Sequence, residues 1–452
     1  MNIKQPWKNL KRRLLQKDPA KIKQFFDFIS PSEKARTLSH LDREDVTEIF
    51  SLLDPAYAAE LLNDLPEEQA AGLIELIPTR QAAGIVDHLP KHDQIDILNE
   101  VRSEDTAQAI IDTMSPAEAK ETREMLAYED DTAGGIMITE ILKFKDTTTV
   151  GEVLKDMEVN REKYLDYDVQ YIYVTGPDNE LKGVLPLRDM ILSRHSEPVN
   201  RLMITKLVKA TVNSTLEELV DLFENYDFLG LPVVNPNNQL VGVAKRYAVM
   251  EAVGERETDT FLKFSGIVGG EELRSMPIWV RSKRRLSWLC INIFLNIMAA
   301  SIIAVYQDTI ATVIALAVFL PIISDMSGCS GNQSVAVSIR ELTMGIAKPS
   351  DIFNVILKES ALGLINGLVL GLLLGGVAFL WKGNFYLGLV IGSALAINTL
   401  VAVTIGGILP LILHKMKKDP ALASGPILTT VTDMCGFLIT LGFATQMLQL
   451  IQ

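Results

Sequence analysis

Apolar and polar positions follow two regimes along this chain. Up to about residue 285 they alternate over short stretches, and beyond it apolar residues run on for twenty or more positions at a time. Five long runs, at about 286–306, 310–339, 352–381, 385–413 and 421–450, each predict a helix long enough to cross a bilayer. The last run holds an acid near its middle, Asp433. On a helix Thr429, Thr430, Gly436 and Thr440 share its face, while Leu438, Ile439 and Leu441 lie opposite. A carboxylate at such depth costs about 2.5–3.5 kcal/mol on insertion scales, so it is expected to face a cavity, a partner helix or a cation. The plainer reading is a hydrogen-bonded Asp that joins two helices.

The second run carries Pro321 and then SDMSGCSGNQS, with Asp325, Ser327, Gly328, Ser330, Gly331, Asn332, Gln333 and Ser334. This pattern predicts a run interrupted at the proline and a polar patch turned toward the same interior as Asp433, because lipid does not tolerate such groups. Carboxylates, amides and hydroxyls without a thiolate or imidazole cluster favour a hard, hydrated cation, and Mg²⁺ fits because it is often held through its waters. Asp325 is expected either at the entrance of an ion pathway or as a cap on the broken helix.

In the first part of the chain, Leu53-Asp54-Pro55, Leu65-Pro66, Ile77-Pro78 and Leu89-Pro90 recur every 11 or 12 residues. Proline early in each unit suits a first helical turn, and the Leu, Ile and Ala positions between predict stacked helices, an α-solenoid over about 41–115. Further on, Tyr171-Ile172-Tyr173-Val174 with Gly183-Val184-Leu185 returns 59 residues later as Gly230-Leu231-Pro232-Val233-Val234 with Gly242-Val243-Ala244. Each half reads helix, strand, polar turn, strand, helix. The halves resemble tandem CBS domains, α/β modules that often bind adenine nucleotides such as ATP. That resemblance implies at most one intact nucleotide site, at Tyr171, Arg188, Asp189, Phe228 and Leu231, since Tyr247-Ala248 stands where the second half would repeat Arg188-Asp189. A dimerisation and relay module without ligand is the alternative.

Charge sharpens this division. The chain of 452 residues has a net charge of −13, and residues 286–452 hold seven acids and seven bases, so the whole surplus belongs to the first part. That argues against nucleic acid as a partner and suits divalent cations or plain solubility. Cys290, Cys329 and Cys435 lie in the apolar third without ligand spacing and are expected to be reduced. MNIKQPWKNLKRR has no apolar core of signal-peptide length, so the first part is expected in the cytoplasm. Arg281, Lys283, Arg284 and Arg285 precede the first run. Bases in the later connections alternate none, Arg340 and Lys348, Lys382 alone, then Lys415, Lys417 and Lys418. The positive-inside rule then puts the N-terminus inside and the C-terminus outside.

Taken together, the chain resembles the MgtE-type magnesium channel family. Matching motifs are Tyr128-Glu129 with Thr132-Ala133-Gly134-Gly135-Ile136-Met137, Tyr226-Asp227-Phe228, Gly331-Asn332-Gln333-Ser334, and Asp419-Pro420-Ala421 with Pro426 and Asp433. The resemblance implies a multidomain fold: an α-helical solenoid N-domain (1–136), tandem α/β CBS domains (137–200 and 201–254), a linking helix (255–285) and a five-helix α transmembrane domain (286–452). It implies a homodimer in the bacterial inner membrane, not an enzyme, with hydrated Mg²⁺ held by Asp433 among Asn332, Thr430 and Asp325. It also implies regulatory Mg²⁺ sites drawn from Glu60, Asp93, Asp227, Glu251 and Asp259. Ala248 and Arg256 stand where the family commonly has acids, which predicts shallower closure by cytosolic Mg²⁺, with Arg256 pairing to Glu60 or Asp93. Asp325 and Cys329 replace the more usual glycine and asparagine, which points to altered metal preference. A second class of function is a membrane-tethered nucleotide or ion sensor whose spans mainly dimerise, with Gly367-x-x-x-Gly371 as a candidate contact.

Overall fold

A computed structural model describes residues 6–165, 167, 169–269, 272–274 and 276–451. The first five residues of the N-terminal segment, and 270, 271 and 275 of the expected linking helix, therefore lie outside the described residues. The chain forms two compact units, one of residues 1–256 with Leu273–Met276, the other of Glu257–Glu272 with 277–452.

The first unit begins with short helices, among them α1 (Pro55–Asn63), α2 (Glu67–Ile74), α3 (Thr79–Val86) and α4 (Lys91–Glu100). Asp54 caps α1 by accepting from Tyr57 N, and Pro55 takes the first helical position. Pro66, Pro78 and Pro90 instead occupy the capping position itself, one residue earlier than the first-turn reading. Their fixed φ launches each helix while their missing N–H removes no helical bond. Helix α1 packs on α3, and α2 on α4. Leu61, Leu62, Ala71, Ile74, Ala82, Ile85 and Val86 fill the core between them.

Two three-stranded sheets follow, β1 (Lys143–Lys145), β2 (Tyr171–Thr175) and β3 (Leu181–Pro186), then β4 (Ala210–Thr211), β5 (Gly230–Val234) and β6 (Leu240–Lys245). In each sheet the first strand runs parallel to the second and the second antiparallel to the third. The repeat in sequence is thus a repeat in topology, with one short leading strand per half that the pattern did not reveal. The turn residues Asn179 and Asn238 adopt left-handed backbone, φ 63° and 61°, which asparagine tolerates. Across the pair, Leu181 N donates to Asn238 O and Leu240 N to Asn179 O, each at 3.0 Å. Helix α5 (Leu187–Ile191) follows β3, α6 (Leu216–Asn225) precedes β5, and α7 (Arg246–Phe264) follows β6. Ala248 is buried in the core of the second half.

The second unit takes the end of α7 and then α8 (Ile278–Val305), α9 (Leu316–Thr343), α10 (Ile352–Lys382), α11 (Phe385–Lys415) and α12 (Pro420–Gln446). Among the described residues four stretches are long and apolar enough to cross a membrane, 278–305, 349–382, 385–415 and 424–446. The fifth expected span, α9, is long enough but more polar. The linking segment is no single helix: α7 ends at Phe264, Gly266 turns at φ 81° against the Trp288 ring, and α8 starts at Ile278. Arg281 and Arg285 lie on α8 and hold Glu272, whose side chain is 3% exposed.

Two expectations are corrected here. Helix α9 runs unbroken through Pro321 and the whole polar patch, because a proline in its second turn forfeits one hydrogen bond and the helix satisfies the remaining backbone by itself. Asp325 is therefore inside a helix and caps nothing. Gly367 and Gly371 are spent within the chain: a Cβ on either would sit 2.5 Å from a carbonyl oxygen of α11, at Ala396 and Gly392 respectively. That close approach of α10 to α11 is what the small residues serve.

Candidate metal site

Helices α9, α11 and α12 pack together and set the surroundings of Asp433. Asp433 is partly buried, and the Ser324 hydroxyl of α9 donates to its Oδ1. Beside it, Asn398 Nδ2 of α11 donates to Thr432 O at 3.1 Å. Gly436 permits this approach, since a Cβ there would lie 2.7 Å from Asn398 Nδ2. Thr430 is buried and gives its hydroxyl proton to Pro426 O at 2.7 Å, leaving only acceptor capacity toward anything else.

Six polar atoms of this unit are buried without a hydrogen-bond partner among the described residues: Ser327 Oγ, Asn332 Oδ1, Glu359 Oε2, Asn398 Oδ1, Thr399 Oγ1 and Thr440 Oγ1. Orphans of this kind cost about 1–3 kcal/mol each, so water or a hydrated ion is their natural complement. All but the Glu359 carboxylate oxygen are neutral, and oxygen donors of this kind are the hard set that suits Mg²⁺ with its waters kept. Asp325 projects differently: with Cys329 and Gln333 it forms an exposed row at i, i+4, i+8 of α9. Sequence reasoning picked out Asp433, Asn332, Thr430 and Asp325 but missed Ser324 and Asn398. A lone amide in the most apolar run was the available sign for Asn398.

A second group of acids lies in the first unit. Asp96 on α4 is raised to about 8 by burial, then by Asp93, Glu255, Asp130 and Glu251. Glu67 on α2 is exposed, and its pKa is raised in the same direction by the surrounding protein and then by Asp96, Glu255, Glu100 and Asp93. Burial, with Glu251 and Glu140 nearby, also raises Asp93. Of the predicted regulatory acids, Asp93 and Glu251 thus meet, joined by the unforeseen Glu67, Asp96 and Glu255. Glu60 is exposed beside Tyr57, and Asp227 is exposed 3.7 Å from Arg246. Asp259 belongs to the other unit and pairs with Lys263 at 2.7 Å. Among the described residues no three His, Cys, Asp or Glu side chains converge closely enough to hold a bare ion. Arg256 pairs with Glu217 rather than with Glu60 or Asp93.

Between the two sheets a narrow crevice of about 30 Å³ is lined by Glu140, Tyr171, Tyr173, Gly230, Lys245 and their neighbours. Of the residues predicted for a nucleotide, Tyr171 lines it and accepts from Leu229 N at 3.4 Å. Arg188 and Asp189 on α5 pair with each other on the surface, Phe228 stacks on Tyr226, and Leu231 is core.

The chain matches the sequence pattern of the divalent cation transporter domain MgtE over residues 320–443, that of the MgtE intracellular N domain over 19–131, and CBS domains over 133–195 and 199–255. It is 33% identical over 362 residues to the magnesium transporter MgtE of Bacillus subtilis, covering 77% of this chain and 79% of that protein. The chain belongs to the MgtE family. The MgtE of Thermus thermophilus is also 33% identical, over 78% of each chain. A solved cytosolic domain of the Mg²⁺ channel MgtE in complex with ATP is 31% identical with a TM-score of 0.48, covering 54% of this chain and 98% of that one. The MgtE match at 320–443 takes in Ser324, Asp325, Asn332, Asn398, Thr430 and Asp433, all the pathway candidates.

Proposed function

We propose that this chain conducts hydrated Mg²⁺ passively into the cytoplasm, and that Asp433 is the charged ligand of the pathway. The observation that carries this reading is the Asp433 carboxylate, held by Ser324 of a second helix, in a unit with six buried polar atoms that have no partner among the described residues. A carboxylate attracts the dication, and oxygens that accept from its waters select a hydrated ion over a stripped one. No phosphate-binding loop or nucleophile constellation supplies an active or enzymatic step.

In this reading α9 is a fifth span, the N-terminus is cytoplasmic, the C-terminus is outside, and the membrane is the bacterial inner membrane. Two copies associate, and Asp325 of each meets the pathway from the open face of α9. The division into an N-domain (1–136), CBS halves (137–200, 201–254), a link (255–285) and a pore domain (286–452) accompanies it. Asp93 and Glu251, with Glu67, Asp96 and Glu255, take up cytosolic Mg²⁺, whose charge relieves their repulsion. Glu60, Asp227 and Asp259 have a lesser share because each stands apart or is already paired. The crevice at Tyr171 takes an adenine nucleotide. The sensor alternative loses its association motif, since Gly367 and Gly371 are occupied by α11.

The test is Mg²⁺ uptake into sealed proteoliposomes holding the full chain and a trapped indicator. Uptake that is lost in Asp433→Ala, with unchanged elution on size exclusion, is the expected result. No uptake by the wild type, or equal uptake by the variant, overturns the reading.

A further inference from the structure

Asn398 sits near the middle of α11, in an apolar run, and its side chain is wholly buried. Its Nδ2 donates at 3.1 Å to the carbonyl of Thr432, the residue before Asp433. Within α12 that carbonyl also belongs to the helical ladder, whose partner four residues on is Gly436. Glycine is required there: a Cβ would lie 2.7 Å from Asn398 Nδ2 and 3.6 Å from Ile323 Cγ2 of α9. Thr432 gives its own hydroxyl proton to Thr429 O at 3.0 Å, inside the same helix. The turn that carries Asp433 is thus held from two sides, by Ser324 of α9 at the carboxylate and by Asn398 of α11 at the backbone.

We infer that Asn398 is a positioning residue, whose amide fixes the rotation of α12 and so aims Asp433 at Ser324 and at the passing ion. A buried amide in an apolar helix costs desolvation, so packing alone would be served as well by a leucine. What the amide adds is direction. A short side chain donating to one carbonyl specifies both the height and the angle of α12 against α11, which apolar contacts leave loose. An ion held through its waters depends on that, because a ligand displaced by about 1 Å no longer meets the hydration shell at hydrogen-bond distance. Asn398 grips backbone and not the ion, so its loss weakens affinity rather than the capacity to conduct. The effect on uptake rests on the transport reading above, but the hold on the α12 turn does not.

The test takes two measurements on the full chain. One is Mg²⁺ uptake into sealed proteoliposomes as a function of concentration. The other needs no transport: maleimide labelling in detergent of half-buried Cys435, two residues past Asp433, in a Cys290→Ser/Cys329→Ser background. Asn398→Ala is expected to raise the half-saturating Mg²⁺ concentration about three- to tenfold, the factor one amide hydrogen bond supplies, with maximal uptake kept within about twofold. Cys435 should label faster by a similar factor. Gly436→Ala pushes the amide off Thr432 O and is expected to do the same, with a lower melting temperature. Joining the two changes lets the new methyl group occupy the space the amide leaves. The double variant therefore regains melting temperature but keeps the weakened affinity and the fast labelling. Return of wild-type affinity and labelling in the double variant would reduce Asn398 to packing and overturn the inference, as would wild-type affinity and labelling in Asn398→Ala. If the wild type itself conducts nothing, the transport reading fails, and Cys435 labelling still decides whether the amide holds the turn.

Discussion

The guanidinium of Arg256 lies 2.5 Å from the carboxylate of Glu217, tying α7 to α6 inside the second CBS half. It is thereby kept from the acids of α2 and α4, which stay uncompensated by it. Arg256→Gln is expected to destabilise the first unit by at most about 1 kcal/mol, as partly exposed pairs do. The Mg²⁺ concentration that half-stabilises the chain in a thermal titration should stay within about twofold. A tenfold change would mean that Arg256 does act on the acidic group.

That acidic group should be what cytosolic Mg²⁺ acts on. Neutralising Asp93, Asp96 or Glu251 to the amide removes repulsion as well as a ligand, so each variant is expected to be more stable than wild type without metal and to gain less from it. Thermal unfolding of the full chain with and without MgCl₂ gives both quantities. Equal gains in wild type and in Asp93→Asn/Glu251→Gln would place the regulatory metal elsewhere.

Acidity should mimic the metal. The pKa of part-buried Asp96 is pushed up to about 8 by burial and by Asp93, far above that of the unfolded chain, and that of Glu67 is raised in the same direction. The folded state therefore binds more protons between about pH 4 and 8, and its stability is greatest at the acid end of that window and falls as pH rises through 8. Between pH 6 and 9 the melting temperature of the first unit is expected to drop by at least about 2 °C, with MgCl₂ reversing the drop. A melting temperature that rises over this interval contradicts the raised values.

At the pathway, shape and charge can be separated. Asp433→Asn keeps the contact with Ser324 and loses the charge, so it should leave residual flux with greatly weakened Mg²⁺ affinity. Ser324→Ala keeps the charge and loses one hydrogen bond, which is worth about 1.5–3 kcal/mol when an ionised group takes part, so its loss should be the smaller of the two. Concentration-dependent uptake ranks them. The opposite order would make the Ser324 contact structural glue and the carboxylate incidental.

Asp325 calls for a comparison among metals rather than a single rate. Its exposed row with Cys329 and Gln333 mixes a carboxylate with a softer thiol. Asp325→Ser is expected to lower uptake of all divalent cations, and Cys329→Ser to reduce uptake of Co²⁺ and Ni²⁺ relative to Mg²⁺. Unchanged flux and unchanged order of metals in both variants would remove this face of α9 from the pathway.

The sequence by itself determined the division of labour in this chain. Long apolar runs can be paid for only by lipid or deep burial, the 59-residue repeat forces two like sheets, and Asp433 in an apolar run demands a partner. These are local properties, set by periodicity and desolvation, and they were legible without coordinates. What only the tertiary structure decided is which groups meet. The pattern of α9 reads as broken at Pro321, yet a proline in the second turn forfeits one hydrogen bond only, and the helix continues through the polar patch packed on α11 and α12. Gly367 and Gly371 read equally well for contact within or between chains, and only the close approach of α11 assigns them. Arg256 had several acids within plausible reach, and the folding of α7 against α6 gave it Glu217. Ser324 and Asn398 gained their roles from helices distant in sequence, a pairing that no spacing along one chain records.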